Sequence, residues 1–216
     1  MNNKMSLPFF ILIIASLFLA YRGPETKKNH TSAGFASLKP IGNEKYAIDN
    51  KESVVEWNCS MVFADKGGHT GYISISKGEL MIEKRQLVSG KVEIDMNTMT
   101  DEFHGSNNNL INHLKEADFF DVKKFPIATF AVTNVSSGDE ENIKITGNLT
   151  IKGITNSVTF PAKIKLKGRI LNADGEVTID RTQWDIRYGS GRFFDDLADH
   201  AISDSIQFNL KIVARK

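Results

Sequence analysis

From Tyr46 to the C-terminus the chain alternates apolar and polar residues with a period of two, and no other feature narrows its possible folds so far. Over residues 53–63, Val55, Trp57, Cys59, Met61 and Phe63 are apolar, while Glu56, Asn58 and Ser60 are polar. The pattern returns six times: Ile73 and Ile75 against Ser74 and Ser76; Val88, Val92, Ile94 and Met96 against Lys91, Glu93 and Asp95; Ile143, Ile145, Leu149 and Ile151 against Lys144, Thr146, Asn148 and Lys152. It continues with Val158, Phe160, Ile164 and Leu166 against Lys163, Lys165 and Lys167; Leu171, Val177 and Ile179 against Asn172, Glu176 and Thr178; and Ile206, Phe208, Leu210 and Ile212 against Gln207, Asn209 and Lys211. Successive side chains of a strand point to opposite faces, so each segment is a strand with one dry and one wet face, as in antiparallel sheet covered on one side.

Little else in the chain could do the covering. Within residues 100–130, Leu110, Leu114 and Ala117 recur at helical spacing and are followed by Phe119 and Phe120, which predicts one short helix over about 106–117. Phe125-Pro126 then restarts the sheet, because proline disfavours helix in the residue before it and tolerates the first residue of a strand. With a single helix available, the sheet must cover itself. The expected fold is an all-β, eight-stranded antiparallel barrel with that helix as a lid or crossover at one end. Hairpin turns are expected at Gly67-Gly68, Ser137-Gly138, Thr155-Asn156 and Gly168-Arg169. Closure also removes exposed sheet edges; a two-sheet sandwich would show the same alternation.

The inner parity includes Gly90, Gly147, Gly153, Ala162, Gly168, Ala173 and Gly175. An eight-stranded barrel is just wide enough to fill with side chains or to hold one slender ligand, and small residues on the wall favour the second. Strand glycines also serve as bulges and corners. A lumen of this kind would be lined by Trp57, Met61, Phe63, Phe160 and Phe208, with Phe119 and Phe120 near one end. Among polar groups, Arg181 continues the inward parity at a barrel end and His69 sits in the first hairpin, so either could orient a ligand head; Arg181 could equally pair with Asp180 or Asp185. Trp184, Tyr188 and Phe193 lie in a Gly-rich loop that reads as a mouth or a small satellite core.

Several function classes find no support. Lys and Arg total 27 against 26 Asp and Glu, so a net charge of +1 gives no whole-protein field for nucleic acid or anionic membrane. Cys59 is the single cysteine, which forbids an intrachain disulfide and a cysteine-based zinc site. Gly189-Ser190-Gly191 is not a nucleophile elbow, and the five histidines show no motif spacing. Asp195, Asp196, Asp199 and His200 lack the glycine-punctuated spacing of a calcium loop, so they read as a solvated loop, as do Asp101, Glu102 and His104. At the N-terminus, Lys4 precedes an apolar run at 7–20 that is short for a membrane span and fits a secretory signal. Residues 1–21 are expected to be that signal peptide and 22–43 a flexible leader, with an uncleaved anchor left open.

The segments YAIDNKESVVEW, GGHTG, GKVEIDMNTMT, HLKEADFFDVKKFPIATF, GNLTIKGITNSVTF and DRTQWDIRYGSGRFFDDLADHAISDSIQFNL together resemble the YceI-like family, over about residues 44–214. The resemblance implies a lipocalin-like barrel, periplasmic or secreted, that holds a polyisoprenoid or similar long-chain amphiphile. The family's helix ending in doubled phenylalanine falls on Leu114, Phe119 and Phe120, and its LTIxGxT hairpin on 149–155. Asp185 stands where relatives carry glycine after the aromatic.

The expectation is therefore a non-enzymatic, exported, lipid-binding barrel. Its ligand-binding residues would be Trp57, Met61, Phe63, His69, Phe119, Phe120, Gly147, Phe160, Gly175, Arg181, Trp184 and Phe208. No cofactor or metal is implied; an isoprenoid quinone or other long-chain lipid would be cargo, and membrane contact would be transient. The alternative is an exported barrel with a filled core acting as an envelope adhesion or interaction module.

Overall fold

The alternating segments form nine strands. In the computed structural model, which describes residues 42–61, 68–137, 142–197 and 200–216, they are β1 (Glu44–Ile48), β2 (Val54–Met61), β3 (Gly68–Glu83), β4 (Gln86–Asp101), β5 (Ile127–Ser137), β6 (Asn142–Ile151), β7 (Ile154–Lys167), β8 (Ile170–Asp180) and β9 (Ile202–Arg215). The ladder runs β3-β2-β9-β8-β7-β6-β5-β4, and β4 pairs back on β3, so the sheet closes as an antiparallel barrel with eight positions around it. Closure removes the sandwich reading. The ninth strand shares a position: below β2, β1 bridges β3 (Glu44↔Ile82 to Ala47↔Glu79) and β9 (Ala47↔Arg215, Ile48↔Ala214).

Two of the tight turns use positive φ at both central residues, the geometry that matches the twist of a hairpin's strands. Lys84 and Arg85 (φ 50° and 67°) join β3 to β4, and Lys152 and Gly153 (φ 52° and 75°) join β6 to β7. The expected turn at Thr155-Asn156 is thereby corrected: Thr155 pairs with Thr150 inside the ladder, their hydroxyls 2.7 Å apart, and Asn156 lies opposite Leu149. Gly168-Arg169 does turn β7 into β8, with Gly168 at φ 60°. Gly153 and Gly168 are therefore turn residues and not part of the inner wall. Gly68 begins β3, while 62–67 and 138–141, which hold the rest of the other two expected turns, lie outside the described residues, as do 1–41 with the expected signal and leader.

Parity slips at the irregularities of β3, β4 and β5. On β4 an extra residue, Val88, falls between the pairs Met81↔Ser89 and Ile82↔Leu87, which puts Leu87 inside and leaves Val88 40% exposed, the reverse of the alternation read from Val92 backwards. β7 and β8 pair only from Ala162↔Gly175 to Lys167↔Ile170. Beyond that, β7 stays on β6 as far as Ile154, β8 stays on β9 as far as Asp180, and the two strands part at Pro161, which has no N–H to donate.

The helix α1 (Asn109–Lys115) is shorter than expected, because the Asn108 side chain caps it by accepting from the Ile111 N–H at 3.0 Å. Its buried anchor is Ile111, between the half-buried Leu110 and Leu114, and Ala117 is exposed beyond the helix. Lys115 Nζ donates to Asn97 O at 2.9 Å and Lys152 Nζ to Ala117 O at 3.0 Å, tying this segment to β4 and the β6–β7 turn. At the opposite end, Tyr46, Leu171 and Ala214 are fully buried and stop the barrel with side chains.

Candidate functional site

The inner faces do not fill the barrel. They enclose a cavity of about 170 Å³ whose wall is apolar almost throughout, Asp174 and Arg181 being its charged members. Every strand from β2 to β9 contributes: Val55 and Trp57, Ile73, Met96 and Met99, Phe130, Ile145, Phe160, Val177, Ile206 and Phe208 are among the lining. Leu114, Phe119 and Phe120 reach it from α1 and the turn that follows, so the helical insert closes one end of the lumen.

Of the residues expected to meet a ligand, Trp57, Phe119, Phe120, Phe160, Gly175, Arg181 and Phe208 stand on this wall. Gly147 is on the inner face but is covered. A Cβ there would run into the Phe130 ring and lie 2.6 Å from the Ala131 carbonyl oxygen, so the glycine makes room for a neighbour's phenyl group and not for cargo. Gly175 is closer to what small wall residues were expected to provide: a Cβ would meet the edge of Phe160 at 3.2 Å and the Pro161 carbonyl oxygen at 3.5 Å. Trp184 is buried apart from the lining, its Nε1 donating to Leu149 O at 3.1 Å. His69 lies on β3 at the end that α1 covers, half exposed, its Nδ1 3.4 Å from Asp101. The side chain of Met61 and all of Phe63 lie outside the described residues.

Arg181 opens a 3-10 turn (Arg181–Trp184) that seals the wall where β8 leaves the sheet. It is 1% exposed, and its guanidinium donates from Nε to Ser203 O (2.9 Å), from Nη1 to Ile186 O (2.7 Å) and from Nη2 to Ile202 O (3.2 Å), with Asp204 at 3.5 Å. Burial lowers its pKa and Asp204 opposes that, so the buried cation is held by backbone carbonyls and one acid. Its plane stands 6.0 Å from the Phe119 ring, which also packs edge-on against His113 (5.0 Å) and beside Tyr188 (5.2 Å). Asp185 ends the turn in the left-handed region (φ 57°, ψ 32°), a conformation glycine adopts freely and aspartate tolerates better than most residues. That geometry suits either residue at the position where the resemblance leads one to expect glycine.

Sequence reasoning missed Asp101, read as part of a solvated loop. It is 2% exposed. Its Oδ1 accepts from the backbone N–H of Phe103 (3.0 Å) and His104 (2.8 Å) and from His104 Nδ1 (2.8 Å), folding 101–105 into a tight loop. Burial pushes its carboxyl upward, but these hydrogen bonds outweigh it and leave the pKa below the usual aspartate value, so the group is a carboxylate at neutral pH. Burial raises the pKa of the Cys59 thiol, on the lumen wall, against a smaller opposing effect of Arg181; that fits a small hydrophobe, not a nucleophile.

A closed antiparallel barrel with a helix-capped apolar lumen defines a lipocalin-like class of protein. The chain belongs to the YceI-like family, whose domain model matches residues 46–214. It is 37% identical over 148 residues to protein YceI of Salmonella agona, covering 66% of this chain and 75% of that protein. A UPF0312 protein of Enterobacter sp. (strain 638) is 40% identical over 88 residues, 40% of this chain and 44% of the relative, and one of Pseudomonas putida (strain W619) is 30% identical over 133 residues, 58% and 64%. The chain thus spans less than two thirds of the length of these last two relatives. Among solved structures, Burkholderia cenocepacia BcnA superposes with a TM-score of 0.62 at 22% identity over 77% of this chain and 98% of its own. A polyisoprenoid-binding domain from Saccharophagus degradans gives 0.58 at 12% identity over 79% and 97%. At these identities the two structures establish the fold.

Proposed function

We propose that this protein is an exported, non-enzymatic carrier that holds a polyisoprenoid or similar long-chain amphiphile in its lumen, for carriage, storage or sequestration. The observation that carries the reading is the enclosed apolar cavity of about 170 Å³ inside a closed barrel. An apolar cavity of roughly this size stays dry and takes up hydrocarbon, and each methylene moved from water into it gains about 0.8 kcal/mol. A filled-core interaction module would have no use for such a space. A family relationship to barrels that include a polyisoprenoid-binding domain agrees with it. Length supplies the selectivity: a slender lumen walled by strands and closed by aromatic rings admits one extended chain and rejects bulky ring systems along its middle. Export rests on Lys4 and the apolar run at 7–20.

The test is to purify the full chain without detergent from a host that exports it, extract with organic solvent and identify the extract by mass spectrometry. A long-chain lipid in near-stoichiometric amount is expected, on protein whose mature N-terminus lies between Tyr21 and Ala33. Protein that emerges empty and shows no shift in thermal midpoint with any long-chain lipid overturns the carrier reading; an intact Met1 in a cytosolic fraction overturns export.

A further inference from the structure

Trp57 on β2, Gly71 on β3 and Asp101 on β4 are directly opposite one another in the ladder, so they form one row on the inner face, a step beyond the lining residue Met99 at the end that α1 covers. Gly71 makes room in the middle of that row for the Trp57 ring. The edge of the Trp57 indole lies over it, Cζ2 and Cε2 being 2.5 and 2.6 Å from where a Cβ would stand, and Cε2 is the carbon bonded to Nε1. The strands on either side of Gly71 carry two buried polar atoms without a hydrogen-bond partner, Trp57 Nε1 and Asp101 Oδ2, in residues 4% and 2% exposed. His69 Nδ1 stands 3.4 Å from Oδ2 and helps to lower the Asp101 pKa, but its geometry is too poor to satisfy the oxygen. Buried donors and acceptors are nearly always paired, and an orphan of each kind in one row marks a missing group. The rest of the site is built as if to hold them ready: three hydrogen bonds on Oδ1 fix the carboxylate, and Gly71 admits no side chain, since a Cβ there would strike the Thr100 carbonyl oxygen.

We propose that this row is a head-group site for a neutral long-chain alcohol or phenol, whose oxygen accepts from Trp57 Nε1 and whose O–H donates to Asp101 Oδ2. The assignment rests on the lumen reading above and names the chemistry at one end of the cargo. A hydroxyl is the smallest group that accepts and donates at once. An ether, an ester or a quinone carbonyl offers acceptors alone and leaves Oδ2 unpaired. A carboxylate or phosphate would bring a second negative charge beside Asp101 into a dry site, where like charges are costly.

The experiment titrates the full mature protein by calorimetry with geranylgeraniol, geranylgeranyl methyl ether and geranylgeranoic acid, three probes with the same chain. The alcohol is expected to bind about tenfold or more tightly than the ether, because it pairs two buried groups that the ether cannot both satisfy, and the acid is expected to bind weakest at neutral pH. Trp57→Phe should weaken alcohol and ether alike, because the oxygen of each accepts from Nε1, and should leave the preference between them standing. Asp101→Asn keeps an oxygen for the loop bonds and should lift the discrimination against the acid. Equal affinities for alcohol and ether in the wild type, as a site meant only for a buried water would give, overturn the head-group site and leave lumen binding standing. Failure of every probe to bind overturns both.

Discussion

The 3-10 turn at Arg181–Trp184 and the lumen beside it are equally dry, yet they treat polar atoms in opposite ways. In the turn, Arg181 and Trp184 are each 1% exposed and each hydrogen-bonds to backbone carbonyls, Trp184 to Leu149 and Arg181 to three residues. In the lumen the wall is apolar apart from Asp174 and Arg181, and the indole on it, Trp57, has nothing to donate to. Two tryptophans of one barrel thus separate structure from binding. A buried polar group that is fully paired holds the fold, whereas one left open in an apolar space is complementary to something that arrives later.

The severest way to break the contrast is Arg181→Met, which keeps the stem and removes the guanidinium. It leaves three carbonyls without their donor and Asp204 without its counter-charge, and a loss of about 3–5 kcal/mol in urea unfolding is expected, as for one partner of a buried ion pair. Next comes Gly147→Leu. It has to evict Phe130 and meets the Ala131 carbonyl oxygen, so overpacking should cost about 1–3 kcal/mol and narrow the lumen as well; an unchanged urea midpoint would show that the wall is looser than its rings suggest. The finest test compares the two indoles. Trp184→Phe is expected to cost about 2 kcal/mol, since Leu149 O loses a buried donor, whereas Trp57→Phe should stay within about 1 kcal/mol of wild type, because the bond it forfeits is not made in the empty protein. Equal losses would erase the distinction.

The barrel was legible in the sequence because alternation is a local property: Ile143 to Ile151, or Ile206 to Ile212, declare their faces without help from the rest of the chain. What failed depends on neighbours across the sheet. Val88 and Leu87 exchange faces because Val88 is an extra residue that the pairing of β4 with β3 leaves out, and a run of apolar residues does not announce which of them is the bulge. The Lys152-Gly153 turn hid because lysine is unusual at positive φ, and the following Thr-Asn pair carried a stronger turn signal. Gly147 looked like open space, and only the position of Phe130, seventeen residues earlier, reveals that it is a berth for a ring. Within the site, aromatic wall residues such as Phe160 and Phe208 followed from parity. Asp101 did not, since an acid at a strand end is usually wet, and its burial comes from the loop that folds back onto its own carboxylate.

The parting of β7 and β8 at Pro161 gives the wall a line of least resistance. Ala162, Asp174, Gly175 and Leu210 border both the lumen and a groove of about 650 Å³ on the outer surface, so at this point inside and outside are one residue apart. No ladder pairing joins residues 154–161 to 176–180. Widening the slit there breaks side-chain contacts alone, while the hydrogen bonds of β7 to β6 and of β8 to β9 stay intact. The seam therefore has a direction: the barrel is closed along this line by side chains, with the hydrogen bonds of the sheet running on either side of it.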